Sequence, residues 1–324
     1  MTIKSRLCLS ILASISLAGC IEEGTPSPKA APDLVGNANG WSINPKGDLN
    51  AFFDCLEAKD TTLVSAHRGG PMAGFPENAV ETMAEVLTKA PAIFEVDVAT
   101  SSDGVLYLMH DDTLERTTTG SGTADGKTWR EIAALSLVDN NGDRTGFAPS
   151  TLDQALDFVD GRAILQIDFK QSTRYEDVTD VVRKKALEDR VIYIAYSMAS
   201  ARKLHRLAPK SMISLSVQSQ SDLNRAVAAG IPADRLLGFT GTEGPRARLF
   251  NLLNDQDVEV IFGTLGGRRS IDRDIANSGD NDRYNDIAEM GVDILATDRP
   301  IAAHQALESS GNAAHSGTCG ISRS

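Results

Sequence analysis

The sequence predicts an α/β fold: a (β/α)8 barrel of the TIM type with an insertion after its second barrel strand. Three observations carry this. Eight short apolar runs punctuate the chain from residue 61 onward. Stretches of helical periodicity separate them, as a parallel strand–helix repeat requires. Histidines and carboxylates fall at the ends of the first few runs, where barrels of this kind hold their chemistry.

The runs read as strands are 61–66 (TTLVSA), 93–98 (IFEVDV), 163–168 (AILQID), 191–196 (VIYIAY), 212–217 (MISLSV), 235–239 (RLLGF), 258–263 (VEVIFG) and 292–296 (VDILA). Between them, Val80, Met83, Ala84 and Leu87 share one helical face, as do Leu152, Ala155, Leu156 and Val159. Further helices are expected at 175–187, 199–207, 221–229, 246–254, 284–290 and 300–307, and Pro76-Glu77-Asn78 is expected to begin the helix after the first strand. The run 104–110 (GVLYLMH) is excluded from the eight, because only SSDG separates it from the second strand. A parallel crossover needs about a dozen residues or more, so this run is expected to form a hairpin. Residues 104–150 then make a long insertion, a feature that in compact domains is usually functional.

The barrel domain is expected over 48–307. It opens with a helix at 48–60 that shows Phe52, Phe53 and Leu56 to the barrel's base, and a loose Ser/Gly/Ala-rich tail follows at 308–324. Residues 1–19 read as a secretory signal: Lys4 and Arg6 precede an apolar stretch from Leu7 to Leu17, too short for an ordinary membrane span. The ending Leu-Ala-Gly-Cys resembles a bacterial lipobox, which makes Cys20 the lipidated first residue of the mature chain and 20–47 a flexible tether. The plainer alternative is a signal peptide with a chance cysteine. This places the protein in a bacterial cell envelope, held at the membrane by an N-terminal lipid anchor and facing the periplasm.

Of four cysteines, Cys8 leaves with the signal and Cys20 takes lipid. Cys55 and Cys319 remain, one near each end of the domain, either as a disulfide suited to an oxidising compartment or as two free thiols. The formal charge is −12, and removal of Lys4 and Arg6 makes it more negative still. With no compensating basic patch, a nucleic-acid partner is not expected. No feature of the chain specifies an oligomeric state.

The chemistry gathers at strand ends. The first strand ends in His67-Arg68-Gly69, the second carries Glu95 and Asp97, the hairpin ends in His110-Asp111, and the third carries Asp168 with Lys170 two residues on. Glu95 and Asp97 are i, i+2 on a strand and share a face, while Phe94, Val96 and Val98 point to the other. The carboxylates therefore look into the barrel, where unpaired charge is expensive. One such acid alone would suggest an ion pair. Three on neighbouring strand ends suggest one divalent cation, and all-oxygen ligands suit Ca²⁺ or Mg²⁺. Two histidines beside that cluster suggest a general acid and a general base, and Arg68 and Lys170 suggest cations that grip a phosphate. His205, His304 and His315 fall on helical or tail segments and need no such role.

The motifs His67-Arg68-Gly69, Pro76-Glu77-Asn78, Glu95-x-Asp97, HDDTLERTTTGSG (110–122) and GVDILATDRP (291–300) together resemble those of glycerophosphodiester phosphodiesterases. The resemblance spans roughly residues 61–304. It implies a (β/α)8 fold and metal-dependent hydrolysis of a small-molecule glycerophosphodiester to glycerol 3-phosphate and an alcohol. It also implies an insertion over the barrel mouth. Glu77 or Asn78, at the start of the expected helix, is expected to brace the site. Two features depart from the family's pattern: Asp168-Phe169-Lys170 stands where Glu-x-Lys is usual, and Phe262-Gly263-Thr264 separates an aromatic–Thr pair. Asp-x-Lys resembles the related sphingomyelinase D group, so a lysolipid phosphodiesterase is the alternative within enzymes. A non-catalytic lipoprotein that binds phosphodiesters is the alternative outside them. Attack by water and attack by the glycerol 2-hydroxyl are both open, as is the division of acid and base between His67 and His110.

Overall fold

The computed structural model describes residues 40–324. The segment read as a signal, Cys20 and most of the tether lie outside the described residues. Eight parallel strands close into a barrel: β2 (Leu63–Ala66), β3 (Ala92–Thr100), β5 (Ile164–Phe169), β6 (Val191–Ala195), β7 (Met212–Ser216), β8 (Leu236–Phe239), β9 (Glu259–Gly263) and β10 (Ile294–Thr297). Neighbours pair in chain order, and β2 closes the ring by pairing with both β3 and β10. The extra strand β4 (Leu106–Leu108) runs antiparallel to the end of β3 and forms the expected hairpin.

Helices α2 (Val80–Leu87), α4 (Leu152–Val159), α5 (Tyr175–Lys184), α6 (Met198–Leu207), α7 (Gln220–Ala228), α8 (Ala247–Asn254), α9 (Ile271–Ser278), α10 (Arg283–Ala288) and α11 (Pro300–Ser310) surround the barrel. Each forms because an apolar stripe can pack on the strands: Phe158 of α4 meets Phe94 of β3 with ring centroids 6.3 Å apart. Local signals set the starts. Thr151 and Gln154 make a reciprocal capping box at α4, as Ser197 and Ser200 do at α6. The insertion contains one short helix, α3 (Trp129–Ala133), and a small core of its own around Tyr107, Met109, Leu114 and Ile132.

Three expectations need correction. The helix after the first strand begins at Val80, not at Pro76-Glu77-Asn78, because Asn78 adopts a left-handed backbone (φ 56°) that a helix cannot continue. The tail beyond 308 is not loose: α11 runs on to Ser310, and β11 (Ile321–Arg323) pairs antiparallel with β1 (Trp41–Ile43), inside the stretch read as tether. The physical reason is burial, since Trp41, Ile43 and Ile321 are all covered and Trp41 packs edge-on against His304. Finally, α9 occupies a stretch in which no helix was expected.

Helix α1 (Leu49–Glu57) packs Phe52, Phe53 and Leu56 into the core, and Cys55 on the same helix forms a disulfide with Cys319. Helix α1 and the β1–β11 ribbon are thus tied together at the two ends of the domain. Replacing Cys55 by Ser is expected to cost about 2–5 kcal/mol, mostly by freeing the unfolded chain. A urea midpoint unchanged from the wild type would contradict this.

The N-terminal end of the barrel also buries like charges. Glu259 is held above the usual carboxylate range by burial first and then by Asp293, Asp54 and Glu57, and burial raises Asp293 as well. A raised acid leaves the folded chain holding a proton that the unfolded chain has lost. Its contribution is therefore complete below the unfolded value near pH 4 and declines as pH rises toward the folded one. Unfolding midpoints should fall between pH 5 and pH 8, and Glu259→Gln should lessen that fall. An equal fall in the variant would show that Glu259 is not the source.

Candidate active site

Strand register builds the acidic cluster. Asp97 of β3 lies directly opposite Asp168 of β5, and Glu95 opposite Gln166. Glu95, Asp97 and Asp168 are all buried, and each offers an oxygen within 4.8 Å of the others. They line a cavity of about 410 Å³ at the C-terminal mouth of the barrel, together with His67 and His110. Glu95 is raised to about 8, chiefly by burial and then by Asp97, although His67 and the Arg68 amide oppose the shift. Asp168 is raised by burial and by Asp97, while Lys170 pulls it back.

The chain turns sharply at the end of β2. Arg68 has a left-handed backbone (φ 51°), and its N–H donates to Glu95 Oε2 at 2.7 Å. Gly70 is also left-handed (φ 81°), and a Cβ there would lie 2.9 Å from both Pro300 Cγ and Val86 Cγ2, so only glycine fits. Asn78 braces Asp97 twice: its Nδ2 donates to Asp97 Oδ2, and its Oδ1 accepts from the Asp97 amide, both at 2.9 Å. Lys170 Nζ stands 3.3 Å from Asp97 Oδ1 and 3.7 Å from Asp168 Oδ2. Glu77 receives two bonds from Arg68 Nη1, at 3.1 and 3.2 Å. The structure thus brings every residue proposed for the site from the barrel sequence to one mouth.

Four residues outside that set complete it. Asp298, just beyond β10, accepts from His67 Nδ1 at 2.6 Å and leaves Nε2 facing Glu95 at 4.0 Å. Burial disfavours the charged ring, but Asp298 and Glu95 outweigh it and raise His67. Asp111 accepts from His110 Nδ1 at 2.7 Å, and Arg116 holds Asp111 with two bonds of 2.6 and 2.8 Å. Arg116 then reaches Glu77 with two more at 2.8 Å, so an ionic chain runs from His110 through the insertion to Arg68. Asp272 on α9 accepts from the Asp298 amide at 2.7 Å and from Thr297 and Tyr284. Asp111 and Arg116 lie inside a motif that the sequence displays, and Asp298 inside another. Asp272 carries no such signal.

The other side of the cavity is mostly apolar: Ile194, Tyr196, Phe239, Ile261 and Leu265 line it from the later strands and their loops, with Ser214 and Ser216 of β7 between them. Tyr196 is 78% exposed and stands at the rim. A barrel mouth with clustered carboxylates and two carboxylate-paired histidines on one side, and an apolar wall on the other, defines a barrel hydrolase for an anionic ester. The model of the Glycerophosphoryl diester phosphodiesterase family matches residues 67–302, from His67 to beyond Asp298, and the chain belongs to that family. It is accordingly a phosphodiesterase.

Relatives agree. A glycerophosphodiester phosphodiesterase of Caldanaerobacter subterraneus subsp. tengcongensis is 29% identical over 164 residues, which is 48% of this chain and 67% of that one. A glycerophosphoryl diester phosphodiesterase of Parabacteroides distasonis has a solved structure 27% identical in sequence, with a TM-score of 0.79 over 88% of this chain and 100% of that one. A phosphodiesterase of Oleispira antarctica, solved in complex with the product sn-glycerol-3-phosphate, shares the fold at 16% identity and a TM-score of 0.60, over 76% of this chain and 97% of that one.

Asp298 orients His67 without touching the cavity's centre. Asp298→Asn is expected to lower kcat by roughly 100-fold or more with little change in KM. Because Asp298 raises His67, its loss should move one limb of the pH–rate profile to lower pH. The limb that moves identifies His67: the acid limb if it is the base, the alkaline limb if it is the acid. A profile that keeps both limbs would refute the positioning role.

Proposed function

We propose that the chain hydrolyses glycerophosphodiesters to glycerol 3-phosphate and an alcohol, using one divalent cation and proton transfer by His67 and His110. The observation that carries this is the buried triad of Glu95, Asp97 and Asp168, with ligand oxygens within 4.8 Å of one another. The residues fit a hard cation. Asp168 Oδ1 is buried and has no hydrogen-bond partner among the described residues, the ligand atoms are all oxygens, and burial together with the Asp97 charge holds Glu95 and Asp168 above their usual range. When bound, Ca²⁺ or Mg²⁺ would supply Lewis-acid stabilisation of the phosphate oxygens.

The protein's own groups divide the rest. Each histidine has its Nδ1 committed to a carboxylate, so Nε2 is the nitrogen free to take or give a proton. With one ring neutral and the other protonated, one activates the nucleophile and the other protonates the departing alkoxide. Arg68 is pinned by Glu77 through Nη1, and its buried Nε has no hydrogen-bond partner among the described residues. Arg68 and Lys170 are placed to hold phosphate oxygens and to offset charge that grows in the transition state. The product named in the Oleispira antarctica complex is the one this reading expects.

The apolar wall supports a second reading, a phosphodiesterase acting on lysolipids, in which that wall holds acyl carbons. Lipidation at Cys20 and an envelope location are proposals from the Leu-Ala-Gly-Cys sequence alone.

The test is turnover of glycerophosphocholine and lysophosphatidylcholine before and after EDTA, with Ca²⁺ and Mg²⁺ restored separately. Glycerophosphocholine turnover should fall by about 100-fold or more in EDTA, the scale of losing a Lewis acid worth several kcal/mol, and should return with one of the two ions. Turnover insensitive to EDTA would overturn the metal assignment. Turnover of lysophosphatidylcholine alone would replace the first reading with the second.

A further inference from the structure

A second concavity of about 430 Å³ opens beside the catalytic one, on the flank formed by the loop after β5 and the start of α5. Lys170 connects the two: it lines this groove, and its ammonium stands within 4 Å of Asp97 and Asp168, which line the catalytic cavity. The groove's other cations are Arg174 and Lys203, and Glu176 is the one carboxylate in its lining. Glu176 is taken by Lys203 at 2.8 Å, and among the described residues Arg174 makes no ion pair. Lys170 is held by Asp97 and Asp168 and Lys203 by Glu176, so Arg174 is the cation of this lining left without a carboxylate, on a chain whose formal charge is −12. Aromatic rings line the groove as well: Phe169 and Tyr175 pack edge to face with centroids 4.6 Å apart, and Lys203 Nζ lies 5.3 Å above Tyr175.

This combination has a definite chemistry. An arginine with no carboxylate of its own offers a planar, permanently charged fork matched to phosphate oxygens. Aromatic faces pack the carbon skeleton of a polyol. A substrate whose reacting phosphate sits over the acidic triad has Lys170 beside it, and an alcohol that passes Lys170 enters the groove. A neutral alcohol would leave Arg174 unused.

We propose that this groove is a second phosphate subsite, and that the preferred substrates are glycerophosphodiesters whose alcohol carries a further phosphate group. The inference rests on the phosphodiesterase reading above for the position of the reacting phosphate. Arg174 supplies the main contact and Lys203 supports it.

A matched pair of compounds tests it: bis(glycerophospho)glycerol, with two phosphates, and glycerophosphoglycerol, with one. Binding is measured by calorimetry on the His67→Ala chain, and turnover on the chain with His67 intact. The two-phosphate compound should bind about tenfold more tightly, a difference on the scale of one charge-assisted contact. Arg174→Ala combined with Lys203→Ala should abolish that preference and leave turnover of glycerophosphoglycerol unchanged, which also shows that the variant is folded. Raising the salt concentration should narrow the preference, because the groove is open to solvent. Equal binding of the two compounds, or a preference that survives the double substitution, would overturn the proposal. Inorganic phosphate titrated alone should bind more weakly than either diester; tighter binding would assign the groove to a free anion and overturn the substrate assignment. If the preference holds and neither compound is turned over, the phosphodiesterase reading fails while the subsite stands.

Discussion

Crowding of negative charge at the ends of two adjacent parallel strands is the constraint around which the mouth is organised. Register sets Asp97 directly opposite Asp168, and the two-residue period of a strand puts Glu95 on the same face. Three buried carboxylates repel one another, and burial alone disfavours their charge. The surrounding chain answers with donors: the Arg68 amide to Glu95, the Asn78 carboxamide to Asp97, and the Lys170 ammonium between Asp97 and Asp168. The unusual backbone of the site follows from this. Arg68 and Asn78 both adopt left-handed conformations, which cost L-residues of order 1–2 kcal/mol, and each delivers a hydrogen bond to the cluster. Strain at these two positions is the counterpart of the charge they serve.

The insertion belongs to the same electrostatic system. His110 sits at the end of the hairpin because the Met109 amide continues the β3 ladder by donating to the Asp97 carbonyl at 2.9 Å. Its partner Asp111 is held by Arg116, which also holds Glu77, which in turn holds Arg68. The Arg116 hydrogen bonds, aided by His110, outweigh burial and hold Asp111 well below the usual carboxylate range, and Arg116 is raised by its bonds to Glu77 and Asp111. The two histidines are therefore supported from different parts of the chain, His67 by Asp298 after the last barrel strand and His110 by the insertion. Closure of the barrel is what brings the first of these pairs together.

Much of this was legible in the sequence, for a reason that particular residues show. Every barrel strand lies within a few residues of a short apolar run such as IFEVDV, because strands buried on both faces carry few polar residues. Glu95, Asp97, Asp168, His67 and His110 stood out because they break such runs or end them. The partners of the histidines were not legible as partners. Asp298 lies more than two hundred residues from His67, and only the β10–β2 pairing makes them neighbours. Asp272 belongs to α9, whose eight residues include four charged or amide side chains and an apolar stripe of only two isoleucines, too short to mark a helix in the sequence. The β1–β11 ribbon was missed for a related reason: strands of three residues at opposite ends of the chain carry no local signal, and only burial of Trp41, Ile43 and Ile321 holds them.

The two ends of the barrel consequently face different demands. At the N-terminal end, α1 and the β1–β11 ribbon pack onto the strands, and Cys55–Cys319 ties them together. Most of those contacts are apolar or covalent; the exceptions are the Asp48–Arg235 ion pair and the buried acids Glu259 and Asp293. At the C-terminal end the interactions are ionic, and they are held at a distance from their own lowest energy: Glu95 and Asp168 resist ionisation, Asp168 Oδ1 lacks a partner, and Tyr196 is exposed at the rim. A mouth under such tension can persist only if the rest of the domain is stable without it. Stability located in the apolar floor and shell therefore permits a polar, destabilised mouth, and that mouth is the part of the molecule suited to receive a cation and a phosphate.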